Sequence, residues 1–98
     1  MGEVAWTSEA ELWVKEIHDY IAQDNPSAAR RTALGIYSKV QLLEQHPKMG
    51  YRYEGHRGHE IRILLYGHYR IAYRVKSGGN IDVLGVFHGA LDIERYLC

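Results

Sequence analysis

Cysteine is almost absent from this 98-residue sequence, which carries one, Cys98, at its last position. One cysteine forms no disulfide within the chain, and a thiol at a terminus is a poor catalytic nucleophile because chain ends hold their geometry badly. The sequence therefore argues against a disulfide framework and against cysteine catalysis, and a reducing compartment is expected.

Long apolar runs are also missing, since no stretch approaches the roughly 18 apolar residues that a membrane span needs. The first residues lack the basic segment followed by an apolar one that is typical of an export signal. We therefore expect a cytoplasmic protein with no membrane contact. The chain length suits one domain, residues 1–98, with a modest core.

Excess charge of either sign is the third absence, because 12 basic and 12 acidic residues cancel. Proteins that bind nucleic acid through its phosphates usually carry a basic excess or a basic face. The charge is nevertheless uneven, with acids near the N-terminus and a locally basic second half. The segment from residue 52 to residue 74 contains only two acids, Glu54 and Glu60, and five arginines: Arg52, Arg57, Arg62, Arg70 and Arg74.

The first part of the chain predicts a short strand and a helical hairpin. Residues 3–6 alternate weakly, and SEAE is a capping box in which Ser8 caps a helix that runs to about Gln23. Asn25 and Pro26 then suit the N-cap and first residue of a second helix, which runs to about Gln45. Helices joined by two or three residues fold back antiparallel.

The second part predicts a loop and three strands. Residues 46–58 contain proline and glycine and show no periodicity. HEIRILLYG, YRIAYRVK and IDVLGVF have strand periodicity and are joined by a turn at Gly67–His68 and the hairpin loop SGGN. They predict an antiparallel meander covered by the helical hairpin, so the fold class is α+β in the order β-α-α-β-β-β.

Candidate functional side chains gather on these strands. Arg70 and Arg74 share one face of their strand because side chains alternate with period two. Arg62 on the preceding strand and His88 at the end of the next one could lie near this face and complete a concave basic patch. Guanidinium groups bind phosphate or carboxylate in bidentate geometry. Alternatively, these arginines only solvate the open face of a sheet.

His88, in FHGALD, also has two interpretations. It could act as a general acid, because histidine titrates near neutrality, or it could satisfy a backbone group at a strand end. His56 and His59 lie in a glycine-broken stretch without further ligands nearby, so no metal site is expected. No nucleophile constellation or phosphate-binding loop is recognised, and no cofactor is expected.

Four segments stand out together: VAWTSEAELWVKEIHDYIAQDNPSAA, LEQHPKMG, YRIAYRV and VFHGALD. In this order and spacing, from Val4 to Asp92, they resemble the RelE/ParE superfamily of bacterial toxin–antitoxin toxins. The resemblance implies two helices on an antiparallel sheet. It also implies a cytoplasmic toxin that is neutralised by a cognate antitoxin, whose C-terminal segment folds on binding.

The resemblance implies one of two activities. YIAQDNPSAA and HGALD look more like the ParE-like branch, whose members are understood to bind and poison DNA gyrase, although Leu91 replaces the arginine of its motif. The resemblance therefore favours a toxin that acts by binding a target such as DNA gyrase. Candidate residues for binding the antitoxin or target are Arg62, Arg70, Arg74, Tyr96, Trp13 and Tyr37.

The alternative is a RelE-like endoribonuclease that cuts mRNA on the ribosome. Arg70 matches the sheet arginine that contacts the scissile phosphate in that branch, and Arg62 and His88 could complete the catalytic set. Glu60 departs from the pattern, because it stands where a lysine is expected. A member that only binds an antitoxin is a third possibility.

Overall fold

A computed structural model describes residues 2–54 and 58–88 of the protein. In this part of the chain two helices precede most of the sheet. The elements are β1 (Val4–Trp6), α1 (Ser8–Ala22), α2 (Pro26–Gln41), a 3-10 turn (Leu42–Glu44), β2 (Tyr51–Tyr53), β3 (Glu60–Tyr66), β4 (Tyr69–Val75), a second 3-10 turn (Ser77–Gly79) and β5 (Ile81–His88).

Helix α1 starts at a threonine cap, so the prediction that Ser8 is the cap is wrong by one residue. Thr7 is extended, and its Oγ1 accepts a hydrogen bond from the Ala10 amide at 3.1 Å. The same hydroxyl donates to the Val83 carbonyl at 2.8 Å. Thr7 therefore satisfies one of the free amides at the helix start and also ties that helix to β5.

Helix α2 begins as predicted. The side chain of Asn25 accepts a hydrogen bond from the Ala28 amide at 3.0 Å, and Pro26 is the first helical residue. Proline is favourable there because its missing N–H would have no partner within the helix. The α-helix ends at Gln41 and tightens into the first 3-10 turn, so it is shorter than predicted.

The sheet has five strands in the order β1-β5-β4-β3-β2. The antiparallel meander β3-β4-β5 and the α+β order are as predicted, with two additions. Strand β2 lies in the segment predicted as loop and pairs antiparallel with β3, whereas β1 pairs parallel with β5. The parallel pairing involves residues 81–83 of β5. Because the other strand pairs are antiparallel, the sheet is mixed.

The main core lies between the helices and one face of the sheet, which we call the helix side. Its side chains are almost fully buried because α1 and α2 shield them from water: Ala10, Val14, Ile36, Val40, Leu43, Leu64, Ile71, Tyr73, Ile81, Val83 and Val86. Burying each of the valine, leucine and isoleucine side chains contributes about 1.5–3 kcal/mol. This core fixes the helical hairpin on the sheet.

A smaller cluster occupies the opposite face, which we call the outer side. Ile63, Ala72 and Phe87 are each at most 2% exposed. Trp13 packs against both clusters, and its ring centroid lies 5.0 Å from that of Phe87. A Cβ atom at Gly85 would lie 2.7 Å from Phe87 Cζ, so a larger residue there would force the phenyl ring to move.

Candidate functional site

Arg70 and Arg74 lie on the outer side of the sheet. The register pairs Arg70 with Leu65 and Phe87, and residues directly opposite one another point to the same face. Both arginines are partly buried, and neither forms an ion pair with another residue of the described segments. The prediction that they share a face is confirmed.

Arg62 lies on the other face, so the prediction that it joins Arg70 is wrong. The register sets it opposite Tyr73, whose ring is part of the helix-side core. Its Nε donates to Glu60 Oε2 at 2.7 Å, and its Nη1 donates to the Gly50 carbonyl at 2.8 Å. The guanidinium beside Glu60 lowers the pKa of that carboxyl below its ordinary value.

Tyr73 completes this arrangement. Its hydroxyl donates to the Pro47 carbonyl at 2.8 Å and accepts from the Gly50 amide at 2.9 Å. Burial raises the pKa of the Tyr73 hydroxyl, which keeps it protonated as a donor. Arg62 and Tyr73 therefore hold the segment 47–50, just before β2, against the sheet. We call this pair the loop clamp.

His88 also lies on the helix side, because the register sets it opposite Tyr69. The two ring centroids are 5.6 Å apart in an edge-to-face arrangement. Tyr69 and Tyr73 are four residues apart on β4, so the rows that contain His88 and Arg62 are separated by about 13 Å along the strands.

The predicted concave patch is therefore not formed by these three residues. Arg70 is on one face of the sheet, whereas Arg62 and His88 are on the other and at different rows. Arg62 is already bound to Glu60 and to backbone carbonyls. One phosphate cannot be reached by all three side chains from these positions.

A mostly apolar cavity of about 300 Å³ lies beside His88. Trp13 and Ile17 of α1 form part of its wall, and Tyr69 of β4 forms the sheet side. Burial raises the pKa of the Tyr69 hydroxyl. The cavity could accept one apolar side chain of a partner. The complete lining is Trp13, Glu16, Ile17, Tyr20, Ile21, Tyr69 and His88.

The helical hairpin carries large apolar side chains that are exposed to solvent. Leu12 of α1 is 54% exposed and Leu34 of α2 is 56% exposed. Tyr37 is 40% exposed, and its ring packs against that of Trp6 in a tilted arrangement with centroids 4.6 Å apart. Burial of its inner part, with a contribution from the Glu11 carboxylate, raises the pKa of Tyr37. We call Leu12, Leu34 and Tyr37 the hairpin patch.

Three predicted residues lie outside the described part of the structure, and the predictions about metals and membranes concern the described residues only. Tyr96 and Leu91 lie outside the described residues, as does His56. Within residues 2–54 and 58–88 there is no group of three or more histidine, cysteine, aspartate or glutamate side chains arranged to hold a metal ion. Neither helix in these segments combines the length and apolar character needed to cross a membrane.

Comparisons with known proteins agree with this architecture. The family described as "ParE toxin of type II toxin-antitoxin system, parDE" matches residues 4–93. A solved structure, "Chromosomal ParDE TA system from P. aeruginosa", superimposes with a TM-score of 0.74 at 25% identity, covering 90% of this chain and 96% of that one.

A curated relative is "Toxin RelE2" of Caulobacter vibrioides, 38% identical over 50 residues. The alignment spans 51% of this chain and 57% of that protein. The family match covers nearly the whole chain, and the resemblance predicted from the sequence is confirmed. The chain belongs to the ParE toxin family of type II toxin–antitoxin systems, within the RelE/ParE superfamily.

Proposed function

We propose that this protein is a toxin of the bacterial cytoplasm that stops growth by binding a protein target such as DNA gyrase. A cognate antitoxin neutralises it. The observation that carries the proposal is the separation of Arg70 from Arg62 and His88 by the sheet. A nuclease needs several groups around one phosphate, whereas a binding toxin needs exposed surface.

The hairpin patch is the proposed target contact. Leu12, Leu34 and Tyr37 are large and exposed, and they lie on two helices whose positions are fixed by the core. Exposed apolar side chains on a rigid helical scaffold are typical of protein-binding surfaces. Trp13 contributes through the cavity beside His88, where it could receive an apolar side chain of a partner.

The outer side of the sheet is the proposed antitoxin contact. Arg70 and Arg74 present guanidinium groups without ion-pair partners in the described chain, and Leu65 beside Arg70 is 53% exposed. This mixture suits a segment that carries both acidic and apolar residues. Arg62 contributes indirectly by holding the loop before β2, and Tyr96 is proposed as an additional contact.

Controlled expression tests the proposal. Translation is followed by incorporation of labelled methionine, and gyrase activity by supercoiling of a relaxed plasmid with purified protein. Continued translation with loss of supercoiling activity is the expected result. An early translation stop with mRNA cut at ribosomes would instead establish the endoribonuclease.

A pair of helix variants then locates the contact. Leu34→Glu places a charge in the hairpin patch and should abolish gyrase inhibition, because desolvating that charge opposes binding. Ser27→Glu, exposed on the same helix about two turns from Leu34, is the matched control and should retain inhibition. Equal inhibition by both variants would remove the hairpin patch from the proposal.

A further inference from the structure

A second cavity lies at the end of the sheet where β3 begins and β4 ends, far from His88. Its volume is about 510 Å³ and its lining is mainly polar. The register sets Glu60 opposite Val75, so the segment entering β3 and the loop leaving β4 form its two walls. The lining consists of Gly58, His59, Glu60, Arg74, Val75, Lys76, Ser77 and Asn80.

The wall formed by residues 76–80 is held in place by three hydrogen bonds. The Lys76 amide donates to the Asn80 carbonyl at 2.7 Å, and the Gly79 amide donates to the Lys76 carbonyl at 3.1 Å. The Glu3 amide donates to Asn80 Oδ1 at 3.0 Å. The side-chain oxygen of Asn80 accepts this hydrogen bond, whereas its NH₂ group is a separate donor that can bind a ligand. A fixed wall loses little entropy when a ligand binds.

Among the described residues, the ion pairs around the cavity leave one arginine, Arg74, without an acidic partner. Glu60 is paired with Arg62 at 2.7 Å, and Asp82 is paired with Lys76 at 3.2 Å. Arg74 lies opposite Asp82 in the register, yet it forms no ion pair within the described segments. Its guanidinium therefore supplies the net positive charge of this cavity.

We propose that this cavity binds a single carboxylate, as presented by an acidic side chain of a protein partner. The guanidinium of Arg74 offers two parallel N–H donors, which match the two oxygens of a carboxylate. Ser77 and Asn80 line the same cavity, and their side chains carry a hydroxyl and an amide that are hydrogen-bond donors. One unpaired guanidinium among the described lining residues matches one negative charge, which favours a carboxylate over a doubly charged phosphate.

NMR titration of the ¹⁵N-labelled full chain tests the proposal. The probes are N-acetyl-glutamate amide, its uncharged isostere N-acetyl-glutamine amide, and inorganic phosphate, all at pH 7 and constant ionic strength. The glutamate probe should give saturable millimolar shifts at Arg74 Nε–H, Ser77 and Asn80, and the glutamine probe should give none. Tighter binding of phosphate, or no saturable shift with the glutamate probe, would overturn the proposal.

Variants of Arg74 test whether this residue binds the glutamate probe. Arg74→Ala should weaken binding of the glutamate probe by about tenfold or more, because it removes a charge-assisted bidentate contact. Arg74→Lys should weaken it less, because lysine keeps the charge and loses the fork geometry. Arg30→Ala removes an exposed arginine of α2 and is the matched control. Equal affinity of wild type and Arg74→Ala would overturn the assignment. These small probes report on the cavity whether or not the protein inhibits gyrase.

Discussion

Strand β4 contributes side chains to both faces of the sheet, and the two sets of side chains differ in burial and polarity. On the helix side, Ile71 and Tyr73 are fully buried beneath α1 and α2. On the outer side, Arg70 and Arg74 flank one small buried residue, Ala72. Neighbouring positions on one strand therefore differ in their surroundings: Ile71 and Tyr73 belong to the core, whereas Arg70 and Arg74 are partly exposed and form no ion pair within the described segments.

The strongest test of this difference compares adjacent residues. Ile71→Ala should lower the free energy of unfolding by about 2–5 kcal/mol, because it opens a cavity in the core. Arg70→Ala should change it by less than about 1 kcal/mol, because its side chain is only partly buried and forms no ion pair in the described chain. Urea unfolding monitored by circular dichroism measures both. Equal destabilisation would contradict the division of the strand into two surfaces.

The loop clamp is the next largest contribution on the helix side. Tyr73→Phe should cost about 1–3 kcal/mol, since it leaves the Pro47 carbonyl and the Gly50 amide without their partner. It should also speed hydrogen exchange at the Gly50 amide. Tyr20→Phe is the control, because Tyr20 is 74% exposed, and its effect should stay within about 0.5 kcal/mol. Unchanged exchange at Gly50 would show that the clamp does not order this segment.

The ion pair between Arg62 of the loop clamp and Glu60 predicts a smaller effect on stability that depends on pH. The pKa of Glu60 is lowered in the folded state by the hydrogen bond from Arg62, so its contribution to stability is fully present above the ordinary value of 4.5. That contribution is lost as the pH falls through the lowered pKa. Thermal unfolding is measured from pH 7 to pH 2. The midpoint temperature of unfolding, Tm, should be higher for wild type than for Glu60→Gln at neutral pH, and the two Tm values should converge in acid. A constant difference would argue against this linkage.

Arg70→Ala is expected to have the smallest effect on stability and a clear effect on antitoxin binding. Under the proposed function, Arg70→Ala should leave gyrase inhibition intact while weakening antitoxin affinity by about tenfold, the value of a charge-assisted hydrogen bond. Titration with the purified antitoxin and a supercoiling assay measure the two properties. Loss of toxicity in a folded Arg70→Ala protein would favour the endoribonuclease instead.

Much of the fold could be predicted because local signals agree with the tertiary structure. Asn25 and Pro26 mark the start of α2, and the period-two pattern identifies β3, β4 and β5. Strand β2 escaped prediction because three residues are too few to show a period. Its position depends on pairing with β3 and on the clamp from Arg62, which are contacts between distant residues.

The position of Arg62 could have been predicted from the turn. A two-residue turn at Gly67–His68 sets Tyr66 opposite Tyr69, and counting back along both strands sets Arg62 opposite Tyr73. Simple alternation within one strand does not contain this information. The position of His88 is harder to predict, because a register shift between Ala72 and Tyr73 alters the pairing of β4 with β5.

The hydrogen bond from Thr7 to Val83 has a consequence for folding during synthesis. It joins residues 76 positions apart, and β1 likewise pairs with the last described strand. Such non-local contacts form late, because a long loop must close before they contribute. A nascent chain that still holds β5 inside the ribosome lacks the partner that anchors the start of α1. The native fold is therefore completed only after all of β5, up to residue 88, has emerged from the ribosome.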